Sequence, residues 1–438
     1  MRILAFAIGG VTLLVVLLSV TLFRVTSAYS LATIERVSIS SNGSESNASS
    51  RAPATSGDGR YVAFESSASN LVVGDSNGVS DVFVHDRATG LTERVSVASD
   101  GNEGTSFGGM GSYSPSISGD GRYVAFASTS NNLVPGDSNT ADDIFVRDRQ
   151  TQTTHKVSVT STGAQPAGAN ESPDISSVGR FVAFVSVAPV LAPSGFDVLV
   201  HDRQSGITET VSVAPDGTPG NGFSGGLGLG GETGISQSAA ISGDGRFAAF
   251  ESLASNLVTG DTNAAPDIFV RDRLANQTQR ASTASNGNQA DENCPACGSY
   301  KPAISSNGQT IAFTSIASSL VPEDTNGTWD VFLKNLTTGE TQLISKVPGG
   351  AQGNSLSGAP SVSADGSEIA FVSLASNLLP GDNNDTWDVF VVQIPMGSSP
   401  TPVPLLSPSA LVMLALVFLA ALVLTMHRRS HTEKLNRW

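Results

Sequence analysis

Ser56-Gly57-Asp58-Gly59-Arg60-Tyr61-Val62-Ala63-Phe64 returns residue for residue at 118–126. Looser copies follow at 176–184, 242–250, 305–313 and 363–371, with starts 58 to 66 residues apart. A second block trails each copy, Asp81-Val82-Phe83-Val84 in the first, with counterparts opening at Asp143, Asp197, Asp267, Asp330 and Asp388. A turn such as Asp86-Arg87-Ala88-Thr89-Gly90 comes next, and then an alternating run such as Thr92-Glu93-Arg94-Val95-Ser96-Val97. Self-similarity at so long a period marks a repeat architecture.

Each unit reads as four strands. Strand a ends in Ile-Ser or Val-Ser, and an Asp-Gly or Asn-Gly pair that tolerates positive φ turns it into strand b. Strand b, Tyr-Val-Ala-Phe in type, is apolar enough for burial on both faces. Strand c is Asp-Val-Phe-Val, and strand d is the Thr-x-x-Val-Ser-Val run. Four-stranded units with no helix between them predict a β-propeller. The sixth unit runs out after Phe390-Val391-Val392 without strand d, while residues 33–39, Thr-Ile-Glu-Arg-Val-Ser-Ile, match strand d at the start of the domain. The expected fold is therefore all-β, a six-bladed β-propeller of four-stranded blades closed by the N-terminal strand.

The repeats resemble the PD40, or TolB-type (WD40-like), propeller repeats, whose core is Ser-x-Asp-Gly-x-x-Ile-Ala-Phe. The resemblance spans all six units and implies a fold, not an activity, because propellers host unrelated functions. The smaller helical domain that precedes the propeller in TolB has no counterpart here, so TolB's partners are not carried over.

Composition agrees with the repeats. The 438 residues are 14% charged with 45 Gly and two Cys, against about 25% charged in an average domain. Helix bundles and disulfide-stapled scaffolds are thereby disfavoured. A net charge of −15 argues against a nucleic-acid partner. Residues 31–395, the expected propeller, carry 18 basic and 38 acidic side chains, a net of −20. That anionic surface is either a solvated face or an attractor of divalent cations.

Both ends are apolar. Residues 1–28 read as an export signal, cleaved after Thr26-Ser27-Ala28 or retained as an anchor. A Pro/Ser linker at 396–409 leads to an uncharged span at 410–426 and a basic tail at 427–438, the pattern of a membrane helix with a cytoplasmic C-terminus. This end resembles the PEP-CTERM and IPTL-CTERM sorting tails in Val403-Pro404-Leu405-Leu406-Ser407, the apolar helix and Arg428-Arg429. It departs from them in lacking Glu-Trp-Gly and in running nine residues past the Arg pair. Terminal membrane helices flanking an exported domain are the expectation.

Five b–c connections share an Asp-x-Asn-x3-Asp spacing: Asp75, Asn77 and Asp81; Asp137, Asn139 and Asp143; Asp261, Asn263 and Asp267; Asp324, Asn326 and Asp330; Asp382, Asn384 and Asp388. Oxygen ligands at positions 1, 3 and 7 suit calcium, although no bidentate Glu ends the loop. Asx turns and a cap on strand c explain the same residues without metal. Cys294-Pro295-Ala296-Cys297 has neither a helix start nor further ligands nearby, so Cys294 and Cys297 are expected to form a local disulfide in an oxidising compartment. His85 and His201 stand where other units carry Arg147 and Arg271, an interchange that points to a solvated position rather than a catalytic one. Gly222-Phe223-Ser224-Gly225-Gly226 fits a hydrolase elbow in letters only, lacking the strand-to-helix setting. No nucleophile–base or paired-carboxylate set rises above the repeat.

The functional expectation is a non-catalytic binding or scaffold module of the bacterial cell envelope, periplasmic or surface-facing. It would present one propeller face to an extracytoplasmic protein or glycan and be held to the membrane by the C-terminal helix unless processed. An enzyme acting on an extracellular polysaccharide or ester, its site spread over several blades, is the alternative. The long, variable b–c and d–a connections favour their own face for any ligand.

Overall fold

A computed structural model describes residues 5–8, 11–14, 35–105, 110–225, 239–290, 298–347, 350–380, 382 and 386–394. The chain divides into two units, Met1–Val37 and Ser38–Trp438. In the first, Ala5–Ile8 pairs antiparallel with Val11–Leu14, with Gly9-Gly10 between them. This corrects the expected N-terminal helix over its described residues. No described helix is long and apolar enough to cross a membrane. The span at 410–426 lies outside the described residues.

In the second unit six antiparallel sheets follow one another, five with strand order a-b-c-d and the sixth with a-b-c among the described residues. Blade one is Ser50–Thr55, Tyr61–Ser66, Asp81–Asp86 and Leu91–Arg94; blade two is Ser112–Ile117, Tyr123–Ser128, Asp143–Asp148 and Thr153–Lys156. Blade three is Asn170–Ile175, Phe181–Ser186, Asp197–Asp202 and Ile207–Thr210; blade four is Ala239–Ile241, Phe247–Ser252, Asp267–Asp272 and Gln277–Arg280. Blade five is Ser299–Ile304, Thr310–Ser315, Asp330–Asn335 and Thr341–Leu343, and blade six has Ser357–Val362, Glu368–Ser373 and Asp388–Gln393. This is the all-β, six-bladed propeller that the repeats predict.

Strands b and c form the core of each blade. Phe64 stacks on Phe83 with ring centroids 5.9 Å apart, and the pair recurs as Phe126–Phe145, Phe250–Phe269, Phe313–Phe332 and Phe371–Phe390. Aromatic pairs of this kind add to the energy of simple apolar burial. In the a–b turn, Ser56 Oγ donates to Asp58 Oδ1 (2.7 Å), which also accepts from the Arg60 amide, while Gly59 takes φ +69°.

Neighbouring blades are joined on the Asp-Gly face by a recurrent contact. Tyr61 receives Arg60 on its ring at 4.8 Å and Arg149 of blade two at 4.3 Å. Its edge lies where a Cβ on Gly121 would sit, 2.2 Å away. Tyr123 meets Arg203 and Gly179 in the same way, and Phe181 meets Arg273 and Gly245. The Gly of the turn is thus required by its neighbour as well as by its own φ.

The expected fourth strand of blade six is absent among the described residues: the sheet has three strands, and residues 35–37 carry none. Val389 and Val391 of its outer strand are 73% and 62% exposed, whereas the matching valines of blade one are buried. Ser38–Glu45 nevertheless takes the conformation that follows strand d elsewhere. Ile39 bridges Glu45 as Val97 bridges Glu103, and the Ile39 carbonyl accepts from Thr92 Oγ1 (2.5 Å) as that of Val97 does from Thr154.

Candidate functional site: the b–c and d–a face

The entrance to strand c is a polar lock. Asp81 Oδ1 accepts from Ser96 Oγ (2.5 Å), which in turn accepts from the Val82 amide. Asp143 with Ser158, Asp197 with Ser212, Asp267 with Ser282 and Asp330 with Ser345 repeat it. Strand d therefore uses its Ser to satisfy a buried carboxylate, which explains the Val-Ser-Val run in chemical terms.

The Asp-x-Asn-x3-Asp loops are brought together with a cation that the sequence reading missed. Arg94 Nη1 lies 3.1 Å from Asp75 and 3.3 Å from Asp81, with Glu103 at 2.9 Å. In blade two Lys156 Nζ lies 3.3 Å from Asp137 and 2.5 Å from Asp143; in blade four Arg280 sits 3.3 Å from both Asp261 and Asp267. The signal was a basic residue two positions before the Ser of strand d. Asn77 turns its amide N–H, not its oxygen, to Asp81 (2.8 Å) and accepts from the Val79 amide as an Asx turn. Asn263 does likewise, and Asn139 donates to the Pro166 carbonyl. With a cation seated and an amide donor filling the gap, these three donor sets do not fit calcium. In blade five Leu343 stands at the cation's position, and Gln352 Nε2 bridges Asp324 (2.7 Å) and Asp330 (2.9 Å), while Asn326 donates to the Gly353 carbonyl. Asp382 and Asp388 of blade six are described, but Asn384 lies outside the described residues, as do Cys294 and Cys297.

Burial raises Asp81, Asp143 and Asp267 of this lock above the usual carboxylate value. Asp75 is pushed up to about 6 by desolvation, then by the charge of Asp81, with Arg94 opposing. Asp261 reaches about 6 by desolvation and then by Asp267, and Asp330 about 6, mainly by desolvation. On the opposite face bidentate hydrogen bonds from Arg60, Arg122 and Arg180 hold Asp86, Asp148 and Asp202 well below the usual carboxylate range.

The histidine position is buried, correcting the expected solvated one. His85 and His201 are 1% and 6% exposed, and each Nδ1 meets a strand-d Thr hydroxyl, at 2.9 and 2.8 Å. Arg147 and Lys334 at the same place donate to carbonyls a few residues past the preceding blade's strand d, those of Ala98 and Thr283. His interchanges with Arg and Lys here because the seam needs a donor, not because water surrounds it. Ser224 is also structural: its hydroxyl pairs with Ser252 (2.8 Å), the bond that Ser112 makes with Ser128.

What varies on this face is the residue before strand c: Ser80, Asp142, Phe196, Pro266, Trp329 and Trp387, different in kind from blade to blade except for the two tryptophans. Trp329 packs edge-on against Tyr300 at 5.3 Å, Phe196 against the half-exposed Phe223 at 5.1 Å, and Trp387 is 41% exposed. Among the described residues no group of three or more His, Cys, Asp or Glu is gathered in a metal-holding arrangement.

No known family profile matches the chain, and no curated protein matches it. Among solved structures it is similar to a protein of Agrobacterium tumefaciens described as TolB (16% identity, 80% of this chain and 91% of that one, TM-score 0.42). It is also similar to TolB from Acinetobacter baumannii (14%, 68% and 58%, TM-score 0.37). An oligogalacturonate lyase from Vibrio parahaemolyticus is a third (13%, 78% and 89%, TM-score 0.34). The propeller assignment rests on the six sheets themselves.

Proposed function

We propose that this chain is an exported, non-catalytic binding module of the cell envelope whose b–c/d–a face takes a protein or glycan ligand. The observation that carries the reading is the residue before strand c. On a frame where the next residue is Asp in all six blades, this one position changes between small, acidic and aromatic, and it places Trp329, Trp387 and Phe196 on one face. Rigid aromatic side chains raised on a fixed scaffold suit recognition. The Asp-Gly face, by contrast, is occupied by its own repeated Arg–Asp and Arg–aromatic contacts.

Two further readings belong to the proposal. The apolar ends support export with membrane retention at the C-terminus, and the match of 33–39 to strand d supports closure of blade six by that segment. The test is a screen of envelope glycans, peptidoglycan fragments and envelope extracts against the full-length protein, with Trp387→Ala and Trp329→Ala as variants. Binding lost in these variants and kept in Arg122→Ala supports the reading. A ligand insensitive to both tryptophans and abolished by Arg122→Ala refutes it, and turnover of a bound polysaccharide would favour the enzyme alternative.

A further inference from the structure

On the Asp-Gly face the first three seams between blades share one frame. Between blades one and two, Arg149 lies over the Tyr61 ring and its Nε donates to Glu93 Oε1 at 2.6 Å. An open pocket of about 320 Å³ lies there, lined among others by Tyr61, Glu93, Asp120 and Arg149. Between blades three and four, Arg273 lies over Phe181, and its Nε and Nη2 both reach Glu209 Oε1 at 2.6 Å. The seam flanked by these two, between blades two and three, keeps the same backbone. Arg203 lies 4.3 Å over the Tyr123 ring and donates from Nη1 to the Gly179 carbonyl, as Arg149 does to Gly121 and Arg273 to Gly245. Its own amide donates to the Arg180 carbonyl at 2.9 Å, the bond that Arg149 makes with Arg122 and Arg273 with Arg246.

What this middle seam lacks is the acids. His155 stands where its neighbours have Glu93 and Glu209, and the three pair with Val146, Val84 and Val200 of strand c in one register. Val178, 63% exposed, stands where they have Asp120 and Asp244. The two acids that remain on the frame, Asp148 and Asp202, are already held by bidentate hydrogen bonds from Arg122 and Arg180. Arg203 therefore forms no ion pair among the described residues, and the Gly179 carbonyl is its one hydrogen-bond acceptor there. Its Nε–Nη2 edge, the one Arg273 gives to Glu209, is left to solvent. A planar guanidinium fixed in place, with that edge open, is shaped for a carboxylate.

We propose that Arg203, in the seam between blades two and three, binds the carboxylate of an acidic side chain from a second molecule, an acidic peptide segment that fills the place Glu93 and Glu209 fill in the flanking seams. The frame seats a glutamate carboxylate twice from the chain itself, so glutamate is the ligand its geometry fits. The Tyr123 ring already carries Arg122 at 4.7 Å and Arg203 at 4.3 Å, which leaves a sugar no aromatic platform of its own. The exchange of Glu and Asp for His155 and Val178 also removes the charges that would repel an incoming acid. This site lies on the face opposite Trp329 and Trp387 and does not rest on the ligand proposed for that face.

The test uses the full-length chain with nitrogen-15 arginine, titrated with N-acetylglutamate α-amide, whose one carboxylate is the side chain. Its readout is the arginine Nε–H resonances by NMR. The resonance that is missing from Arg203→Gln should shift saturably, with a Kd of about 1–10 mM for so small a ligand. His155→Glu restores the chain's own carboxylate: the same resonance should move without ligand, and binding should weaken about tenfold or more. His155 is exposed, so the melting temperature of this variant should be no lower than the parent's. Conversely, Glu93→His with Asp120→Val empties the first seam, and a second resonance, that of Arg149, should then respond. The proposal is overturned by the absence of any saturable shift up to about 50 mM ligand, well above the expected Kd. It is equally overturned by binding that is undiminished in His155→Glu or lost in Trp387→Ala instead. Saturable binding of glucuronate with none of the glutamate amide would overturn the ligand class.

Discussion

Gly121 and Gly90 both hold positive φ, at 71° and 74°, yet they answer to different constraints. A Cβ on Gly90 meets open space, and one on Gly121 would penetrate the Tyr61 ring. Gly90→Ala should cost about 1–2 kcal/mol from the backbone alone. Gly121→Ala adds the overpacking of an inter-blade contact and should cost about 2–5 kcal/mol in all, a difference that chemical denaturation of the two variants measures. Titration also belongs to single residues. Asp75 and Asp261 have folded values of about 6, above the usual value near 3.8, so their contribution to stability is fullest at low pH and is lost as pH rises through about 6. His201 runs the other way. Burial lowers its value, so stability falls as pH drops below its ordinary 6.5. The two effects separate by substitution: melting temperatures of Asp75→Asn should show a weaker loss between pH 5 and pH 7.5 than the parent. Equal pH profiles would contradict the buried lock.

At the scale of the element, strand d matters less for its hydrogen bonds than for what it delivers to strand c. Its Ser reaches the buried Asp at the start of strand c, and in blades one, two and four its basic residue sits between the two loop carboxylates. Removing the cation leaves two acids buried without compensation, which costs about 3–5 kcal/mol where one partner of a buried pair is deleted. Arg94→Met and Lys156→Met should each destabilise on that scale at pH 7.5 and recover part of the loss at pH 5, where the carboxyls can take up protons. Denaturant midpoints at the two pH values check this, and a loss independent of pH would assign the effect to packing. The loops were legible in the sequence as a spacing, but their partner was not. Arg94 looks like an ordinary exposed residue of an alternating strand until the d–c pairing carries it across to Asp81.

For the whole molecule the open question is the edge of blade six. Its outer strand exposes Val389 and Val391, and an unpaired apolar edge invites association. Residues 31–40 include the segment that matches strand d and the Ile39 carbonyl that accepts from Thr92. Their deletion should lower the melting temperature sharply and promote association; an unchanged melting temperature and a monomeric profile by light scattering would refute closure by this segment. Topology is tested separately. A reporter fused after Trp438 should be cytoplasmic and one in a blade loop external, and both on one side in unprocessed chains would refute the membrane reading.

Residue order alone determined the repeat number, the strand order and the turns. Each depends on local pattern: Asp-Gly at a hairpin, an apolar b strand, an Asp opening strand c. The residues that touch across blades were beyond its reach. That Gly121 receives Tyr61 and that His85 shares a buried seam position with Arg147 and Lys334 are facts about neighbours distant along the chain. A period read along the chain says which residues are equivalent. Only the packing of one blade on the next decides which of those equivalent residues face each other, and with them burial, charge balance and the places left for a ligand.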